Sequence, residues 1–192
     1  MTPAVDQAEA LILQAARTNS GPLVVAIDGR SGTGKSTLAA VLADRLGATV
    51  IEGDDFYAGG TGTIGDPPAS RAARCIDWQA QRRVLSALRA GQTASYHAFD
   101  WETFDGSLLP EATQVAPAPI LILEGAYSAR PELRDLLDLT LLVTVPDSLR
   151  QARLIQREGE IGPWERQWHQ AEDWYFAEAA PAWAFDLVLD LS

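Results

Sequence analysis

The hydrophobic positions of this chain fall into continuous apolar runs separated by segments with helical spacing. Residues 23 to 28, 120 to 123 and 139 to 145 are almost wholly apolar, as is typical of parallel strands buried on both faces. Weaker signals predict further strands or extended segments at residues 48 to 51, 93 to 100 and 187 to 191. The pattern therefore predicts a sheet whose central strands are shielded from solvent on both sides.

Apolar residues recur at helical spacing in the segments between these runs. The predicted helices cover residues 5 to 16, 35 to 46, 77 to 90, a segment beginning at 147, and 164 to 180. Two glycine-rich or turn-rich segments, 58 to 73 and 101 to 110, are predicted as loops, the first of them mobile. Strands that alternate with helices indicate an α/β fold with a mostly parallel sheet covered on both sides.

The sequence between the first strand and the second helix predicts a phosphate-binding loop. It runs G-x-x-x-x-G-K-S, with Gly29, Gly32 and Gly34 able to adopt the backbone angles that point amide N–H groups at an anion. The positive end of the following helix adds to this attraction. We therefore predict that a nucleotide polyphosphate binds to the following residues of the loop and the first helical turn: Gly29, Arg30, Ser31, Gly32, Thr33, Gly34, Lys35, Ser36 and Thr37.

Lys35 is the only lysine among 192 residues, the other basic side chains being arginines. Because the chain has no other lysine, we do not expect Lys35 to be an ordinary surface residue without a function. We expect Lys35 to reach the outer phosphates as a point charge and the Ser36 hydroxyl to ligate Mg²⁺.

Acidic residues follow two of the predicted strands. Asp54 and Asp55 come directly after the strand at 48 to 51, and Glu124 ends the run at 120 to 123. Because ligands of open α/β sheets bind at the carboxyl ends of the strands, these acids are expected near the phosphate loop. Either aspartate could accept the proton of an acceptor hydroxyl, and Glu124 could hold Mg²⁺.

Other side chains are candidates for transition-state and substrate contacts. Arg150, Arg153 and Arg157 share one helical face, from which they could close over ATP. Asp77-Trp78 and Asp100-Trp101 each pair a hydrogen-bond acceptor with a flat apolar surface, which suits a small-molecule contact. The aromatic residues between 164 and 176 favour a core or interface role over base stacking.

Composition narrows the range of partners. The 47% hydrophobic and 21% charged content is typical of one globular domain, and a net charge of −11 opposes binding to nucleic acid or to anionic membrane. The sequence has no apolar run near 18 residues and no signal-peptide pattern, so a cytoplasmic protein is expected. The single cysteine, Cys75, cannot form an intramolecular disulfide.

Four segments together resemble the uridine kinase and phosphoribulokinase family of P-loop kinases. They are the phosphate loop, the segment 53 to 57, the segment 122 to 125 and the arginine-bearing helix 147 to 158. The resemblance implies a single P-loop NTPase domain over residues 1 to 192, a three-layer sandwich with a helical lid at about 147 to 163. It further implies that Asp54 is the catalytic base, Tyr57 an acceptor-binding aromatic residue and Glu124 the acid on the metal side. The three arginines would form the lid. Asp77 lies at the position where uridine kinases have a ribose-contacting aspartate.

The leading hypothesis is an ATP- and Mg²⁺-dependent kinase that phosphorylates a hydroxyl of a nucleoside, a sugar or a related small molecule. The alternative is a regulatory protein that binds and slowly hydrolyses a nucleotide. A GTP switch of the common kind is disfavoured because the chain has no Asn-Lys-x-Asp segment. The acceptor and the oligomeric state are left open, since loop-borne contacts follow no transferable code.

Overall fold

The centre of the molecule is a sheet of five parallel strands, seen in a computed structural model that describes residues 2–59 and 65–192. The strands are β1 (Leu23–Asp28), β2 (Thr49–Glu52), β5 (Ile120–Glu124), β6 (Leu139–Thr144) and β7 (Leu187–Asp190), in the spatial order β2-β5-β1-β6-β7. All four strand pairings are parallel. The expected α/β class with a mostly parallel sheet is confirmed.

Helices cover both faces of this sheet. They are α1 (Thr2–Ala16), α2 (Lys35–Leu46), α3 (Pro68–Arg74), α4 (Trp78–Arg89), α5 (Asp147–Glu158) and α6 (Pro163–Trp174), the last continued by a π-helical turn at Tyr175–Ala179. Side chains from α1 and α2 pack on one face, where Val25 and Ile27 point, and α4 and α6 pack on the other, where Val24 points. Because successive strand residues face opposite sides, the all-apolar runs are explained by a sheet with two covered faces.

Two predicted loops contain regular structure. Pro68–Arg74 forms α3, so the expectation of an unpacked loop over 58 to 73 is wrong for its second half, while residues 60 to 64 lie outside the described residues. Arg71 on α3 is buried, and its Nη2 donates to Gln167 Oε1 of α6 at 2.7 Å. The packing of Arg71 against α6 stabilises α3. Contacts of this kind join segments that are distant in sequence, so local composition does not predict them.

The second correction concerns residues 101 to 110, the last three of which start a strand. The strand β4 (Leu108–Val115) pairs antiparallel with β3 (Ala94–Phe99) in a separate hairpin. Most β4 residues are exposed, so the alternation of buried and exposed positions that usually indicates a strand is missing. Pairing with β3 supplies its backbone hydrogen bonds instead.

The sheet gathers acidic residues at one edge. In the parallel register Glu52 at the end of β2 pairs with Glu124 at the end of β5, and Glu124 lies beside Ile27 near the end of β1. The phosphate loop follows β1 directly. No helix in the described part of the chain has the length and apolar character needed to cross a bilayer.

Candidate active site

The loop between β1 and α2 has the conformation that its glycines predict. Gly32 and Gly34 have φ values of 83° and 97°, in the left-handed region, and Gly34 caps the start of α2. A Cβ on Gly29 would lie 2.4 Å from the carbonyl oxygen of Val143 on β6, and one on Gly32 would lie 3.0 Å from Leu154 of α5. Side chains at these positions would therefore displace the loop from the sheet and from α5.

Lys35, Ser36 and Thr37 form the first turn of α2. Lys35 is buried, and its Nζ donates to the carbonyl of Arg30 at 3.3 Å, so the ammonium bends back across the loop. Ser36 and Thr37 are exposed at the open side of the turn. The arrangement places a cation and backbone N–H groups at the positive end of a helix, and these features are suited to an anion.

The three arginines of α5 lie at different distances from the loop. Arg153 Nη1 donates to the carbonyl oxygens of Gly32 and Thr33 at 3.4 and 3.2 Å. Arg150 is buried, and its Nε donates to Asp147 Oδ1 at 3.3 Å. Arg157 lines a cavity beside the loop. The helix α5, which was expected to be a lid, thus contacts the phosphate loop through Arg150, Arg153 and Leu154.

Glu124 lies at the end of β5 among charged and polar groups. Burial raises its pKa to about 7, against the lowering influence of Lys35, and its carboxylate also interacts with Ser36. Among the described residues its Oε2 has no hydrogen-bond partner. A buried carboxylate oxygen without a donor, beside a serine hydroxyl and a lysine, is suited to a cation ligand or to water.

Asp54 and Asp55 point in different directions. Asp54 is exposed and lines the same cavity as Ser31 and Arg157, and a Cβ on Gly125 would lie 3.3 Å from its Oδ1. Asp55 accepts a hydrogen bond from the Tyr96 hydroxyl at 2.8 Å, and burial raises its pKa. Geometry therefore favours Asp54 as the group that could contact a ligand next to the phosphate loop.

The cavity beside the phosphate loop measures about 500 Å³ and has a largely aromatic lining. Tyr57 is at the centre of this wall and stacks on Trp101, with ring centroids 4.9 Å apart. On the other side Trp164 stacks on Trp168 at 5.6 Å. Within residues 2–59 and 65–192, the lining consists of Ser31, Asp54, Tyr57, Trp101, Phe104, Leu154, Arg157, Trp164, Glu165, Trp168 and His169. Such a surface is suited to a small ligand with a flat or apolar face.

Three of the predicted substrate residues lie away from this cavity. Asp77 caps α4, where its Oδ1 accepts the Ala80 N–H at 2.8 Å, and it faces a second cavity between α4 and the hairpin. Trp78 packs under the Arg130 guanidinium, 5.7 Å from the ring centre. Asp100 accepts backbone N–H groups from Glu102 and Thr103 in a turn. Of the five predicted substrate residues, Tyr57 and Trp101 thus line the cavity. Asp77, Trp78 and Asp100 instead make local structural contacts elsewhere.

Two buried acids at the phosphate loop were not identified from the sequence. Asp28 accepts hydrogen bonds from the backbone N–H groups of Gly29, Tyr127 and Ala129 and from the Tyr175 hydroxyl, while its complete burial raises its pKa to about 6. Glu172 accepts from the Ser31 backbone at 2.7 Å. The signal for Asp28 was an acid at the end of an apolar strand, as for Glu124; nothing local marks Glu172.

The residues present fit a magnesium ion. No group of three or more His, Cys, Asp or Glu side chains forms a metal cage within residues 2–59 and 65–192. Mg²⁺ bound to nucleotides commonly has one or two protein ligands and completes its shell with phosphate oxygens and water. The partnerless oxygen of Glu124 and the exposed hydroxyl of Ser36 match that requirement.

Sequence comparison finds curated relatives at modest identity. The chain is 28% identical over 147 residues to the uridine kinase of Limosilactobacillus reuteri, an alignment that spans 73% of this chain and 66% of the relative. It is also 28% identical over 143 residues to uridine-cytidine kinase A of Dictyostelium discoideum, covering 71% of this chain and 28% of that protein. The match thus spans less than two thirds of the relatives' own length. No family model matches the chain.

Solved structures share the fold over nearly the whole chain. A possible uridine kinase from Bacillus stearothermophilus superposes with a TM-score of 0.74 at 24% identity, covering 98% of both chains. A putative fructose transport system kinase from Silicibacter sp. superposes with a TM-score of 0.69 at 25% identity, covering 94% of this chain and 98% of that one. Together with the curated relatives, these neighbours show that the chain is similar in sequence and fold to proteins named as kinases. These findings support the resemblance of the chain to the uridine kinase and phosphoribulokinase-like P-loop kinases.

Proposed function

We propose that this protein transfers the terminal phosphoryl group of ATP to a hydroxyl of a small molecule bound in the aromatic-lined cavity. The observation that supports this most directly is the shared cavity of Asp54, Ser31 and Arg157, which joins an exposed carboxylate, the phosphate loop and α5 in one space of about 500 Å³. A nucleotide phosphate on the loop and an acceptor on the aromatic wall would meet there.

Each step of the transfer has a residue for it. The loop amides and Lys35 bind the phosphates, and Arg157 stabilises charge on the group in transit. Asp54 accepts the proton of the acceptor hydroxyl. The oxygen of that hydroxyl forms the new bond to phosphorus as the bond between phosphorus and the ADP oxygen breaks. Glu124 and Ser36 would hold Mg²⁺, which neutralises phosphate charge when it is bound. ADP and a phosphate monoester are the products.

The acceptor class is broader than uridine. Among the described residues, no asparagine or glutamine side chain lines the cavity, and the polar lining groups are Ser31, Asp54, Arg157, Glu165 and His169. Asp77, which by resemblance would contact a ribose, faces a different cavity. The names of the relatives and neighbours suggest the compounds to try first, because they include a uridine kinase, a putative fructose transport system kinase and a D-glycerate 3-kinase.

Acceptor-stimulated ADP release tests the proposal. Purified protein with ATP and Mg²⁺ is assayed against uridine, cytidine, fructose, D-glycerate and a wider set of alcohols, and the product is identified by a mass increase of one phosphate. We expect at least one acceptor to raise the rate of ADP release above the rate without acceptor. ADP release that no alcohol stimulates would favour the nucleotide-hydrolysing alternative.

A further inference from the structure

A buried carboxylate connects the phosphate loop to the acceptor cavity. Glu172 on α6 is 0% exposed. Its Oε1 accepts hydrogen bonds from the backbone N–H and the hydroxyl of Ser31, both at 2.7 Å, and from the indole N–H of Trp168 at 2.9 Å. One oxygen therefore bonds to a residue of the loop and to a residue of the cavity wall, and these two residues both line the cavity.

The second carboxylate oxygen of Glu172, Oε2, faces Arg150 of α5. Glu172 Oε2 forms an ion pair with Arg150 Nη1 at 3.8 Å, a separation too long for a hydrogen bond, and neither atom has a hydrogen-bond partner among the described residues. Desolvating a carboxylate and a guanidinium without satisfying both is unfavourable for folding alone. A role in binding would explain why an acid is present at this buried position.

The adjacent residues strengthen the connection between α6 and the loop. Arg30 pairs with Asp173 and lies over the ring of Phe176, 5.3 Å from its centre. Ser31 Oγ also accepts a hydrogen bond from the Trp168 indole at 2.9 Å. The tip of the phosphate loop is thus attached to α6, the helix that supplies Trp164 and Trp168 to the cavity, by ionic, aromatic and hydrogen-bonding contacts.

We infer that Glu172 is a positioning residue that couples nucleotide binding on the phosphate loop to the acceptor cavity through Ser31 and Trp168. The inference rests on the proposed function, because it requires a nucleotide at the loop. Phosphate oxygens attract the loop N–H groups and so pull on the peptide at Ser31. Glu172 transmits that change to the Trp168 indole, whose ring packs against Trp164 and Tyr57.

The indole N–H of Trp168 can report this coupling without a known acceptor. In the ¹⁵N-labelled protein its NMR signal is assigned with Trp168→Phe, and the non-hydrolysable analogue AMP-PNP is added with Mg²⁺ while calorimetry measures its affinity. We expect the Trp168 signal to shift on saturation. The shift should fall to roughly half in Glu172→Gln, because charge-assisted hydrogen bonds are about twice as strong as neutral ones. It should fall further in Glu172→Ala, in which only the direct hydrogen bond from Trp168 to Ser31 remains.

A matched control and a second variant keep the test decisive. Glu178→Ala changes an exposed glutamate of the same C-terminal segment and should leave the shift as in the wild type. Glu172→Gln is nearly isosteric, so it gives an answer even if Glu172→Ala does not fold, and its AMP-PNP affinity should change by less than about tenfold. A merely structural role for Glu172 would alter stability without uncoupling the Trp168 signal from bound nucleotide.

The outcomes separate this inference from the proposed function. If AMP-PNP binds but the Trp168 signal does not move, or moves equally in Glu172→Gln and the wild type, the coupling is refuted while the kinase proposal stands. If AMP-PNP does not bind at all, both are refuted. A shift that shrinks from wild type to Glu172→Gln to Glu172→Ala supports the coupling.

Discussion

The two ends of the candidate active site are built in different ways. At the phosphate end the groups predicted to contact a ligand are mostly backbone amides of one continuous segment, together with Lys35 and Ser36 of the next helical turn. At the acceptor end they are side chains from four separate stretches of the chain, represented by Tyr57, Trp101, Arg157 and Trp168. The first end depends on local conformation and the second on how distant segments pack.

This difference determines what each end can recognise. A loop made of amides binds any phosphate chain of suitable length, because every residue type donates the same N–H group. A wall of aromatic side chains binds according to ring position, and one substitution changes its shape. We therefore expect variants at the phosphate end to affect turnover with every acceptor, and variants at the aromatic end to affect some acceptors more than others.

The largest effect is expected at the point where the two ends meet. Asp54→Asn keeps the shape of the side chain but removes the base, so kcat should fall about 10²- to 10⁴-fold while nucleotide affinity changes little. The measurement is steady-state kinetics with an identified acceptor, together with calorimetry of nucleotide binding.

Asp55→Asn is the matched control for this prediction. Asp55 bonds to Tyr96 and lines a different cavity, so its loss should leave most of the turnover. If Asp55→Asn were inactive and Asp54→Asn active, the assignment within the acidic pair would have to be reversed.

Lys35→Ala should produce the next largest effect, and with every acceptor. It removes the cation that spans the phosphate loop, a preorganised electrostatic contact whose loss typically costs on the order of 10²- to 10³-fold in kcat. Circular dichroism and the thermal midpoint would check that the variant is folded. Normal turnover by a folded Lys35→Ala protein would contradict phosphoryl transfer at this loop.

The same contrast explains how much of the structure could be predicted from the sequence. The segment from Leu23 to Leu46 follows local rules, so strand, loop and helix were predicted with their observed limits. The helix α3 was missed because it is stabilised by α6, which is distant in sequence. The strand β4 was missed because its mostly exposed residues lack the alternation of a half-buried strand, and its backbone hydrogen bonds come from pairing with β3. Trp168 was expected in a core or interface; it is buried and also lines the cavity, which only the packing of α6 against the loop reveals.

Trp101→Ala should have a smaller effect that depends on the acceptor. Trp101 is 45% exposed and covers one side of Tyr57, so its removal should raise the acceptor KM by about tenfold, with kcat and nucleotide affinity changing less. Relative KM values across several acceptors would show whether the wall sets selectivity. Trp183→Ala, at a tryptophan that is 85% exposed and outside this cavity, is the control and should change none of these values.

The smallest effect on catalysis, and a distinctive one on stability, is expected at Asp28, which joins the two ends. It bonds to Gly29 of the loop and to the Tyr175 hydroxyl that follows α6, so Asp28→Asn exchanges an acceptor for a donor in a buried site and should destabilise the fold by about 1–3 kcal/mol.

Burial raises the Asp28 pKa from 3.8 to about 6 in the folded protein, so between about pH 4 and pH 6 the folded state binds more protons than the unfolded state. The stabilising contribution of Asp28 to the free energy of unfolding is therefore fully present below about pH 4 and is lost as the pH rises through about 6. Urea unfolding of both proteins from pH 4 to pH 7 should show the advantage of the wild type shrinking across that window, since the slope from Glu124 is common to both and cancels in the difference. A difference that stays constant with pH would mean that Asp28 is ionised throughout, held in that state by its four hydrogen-bond donors.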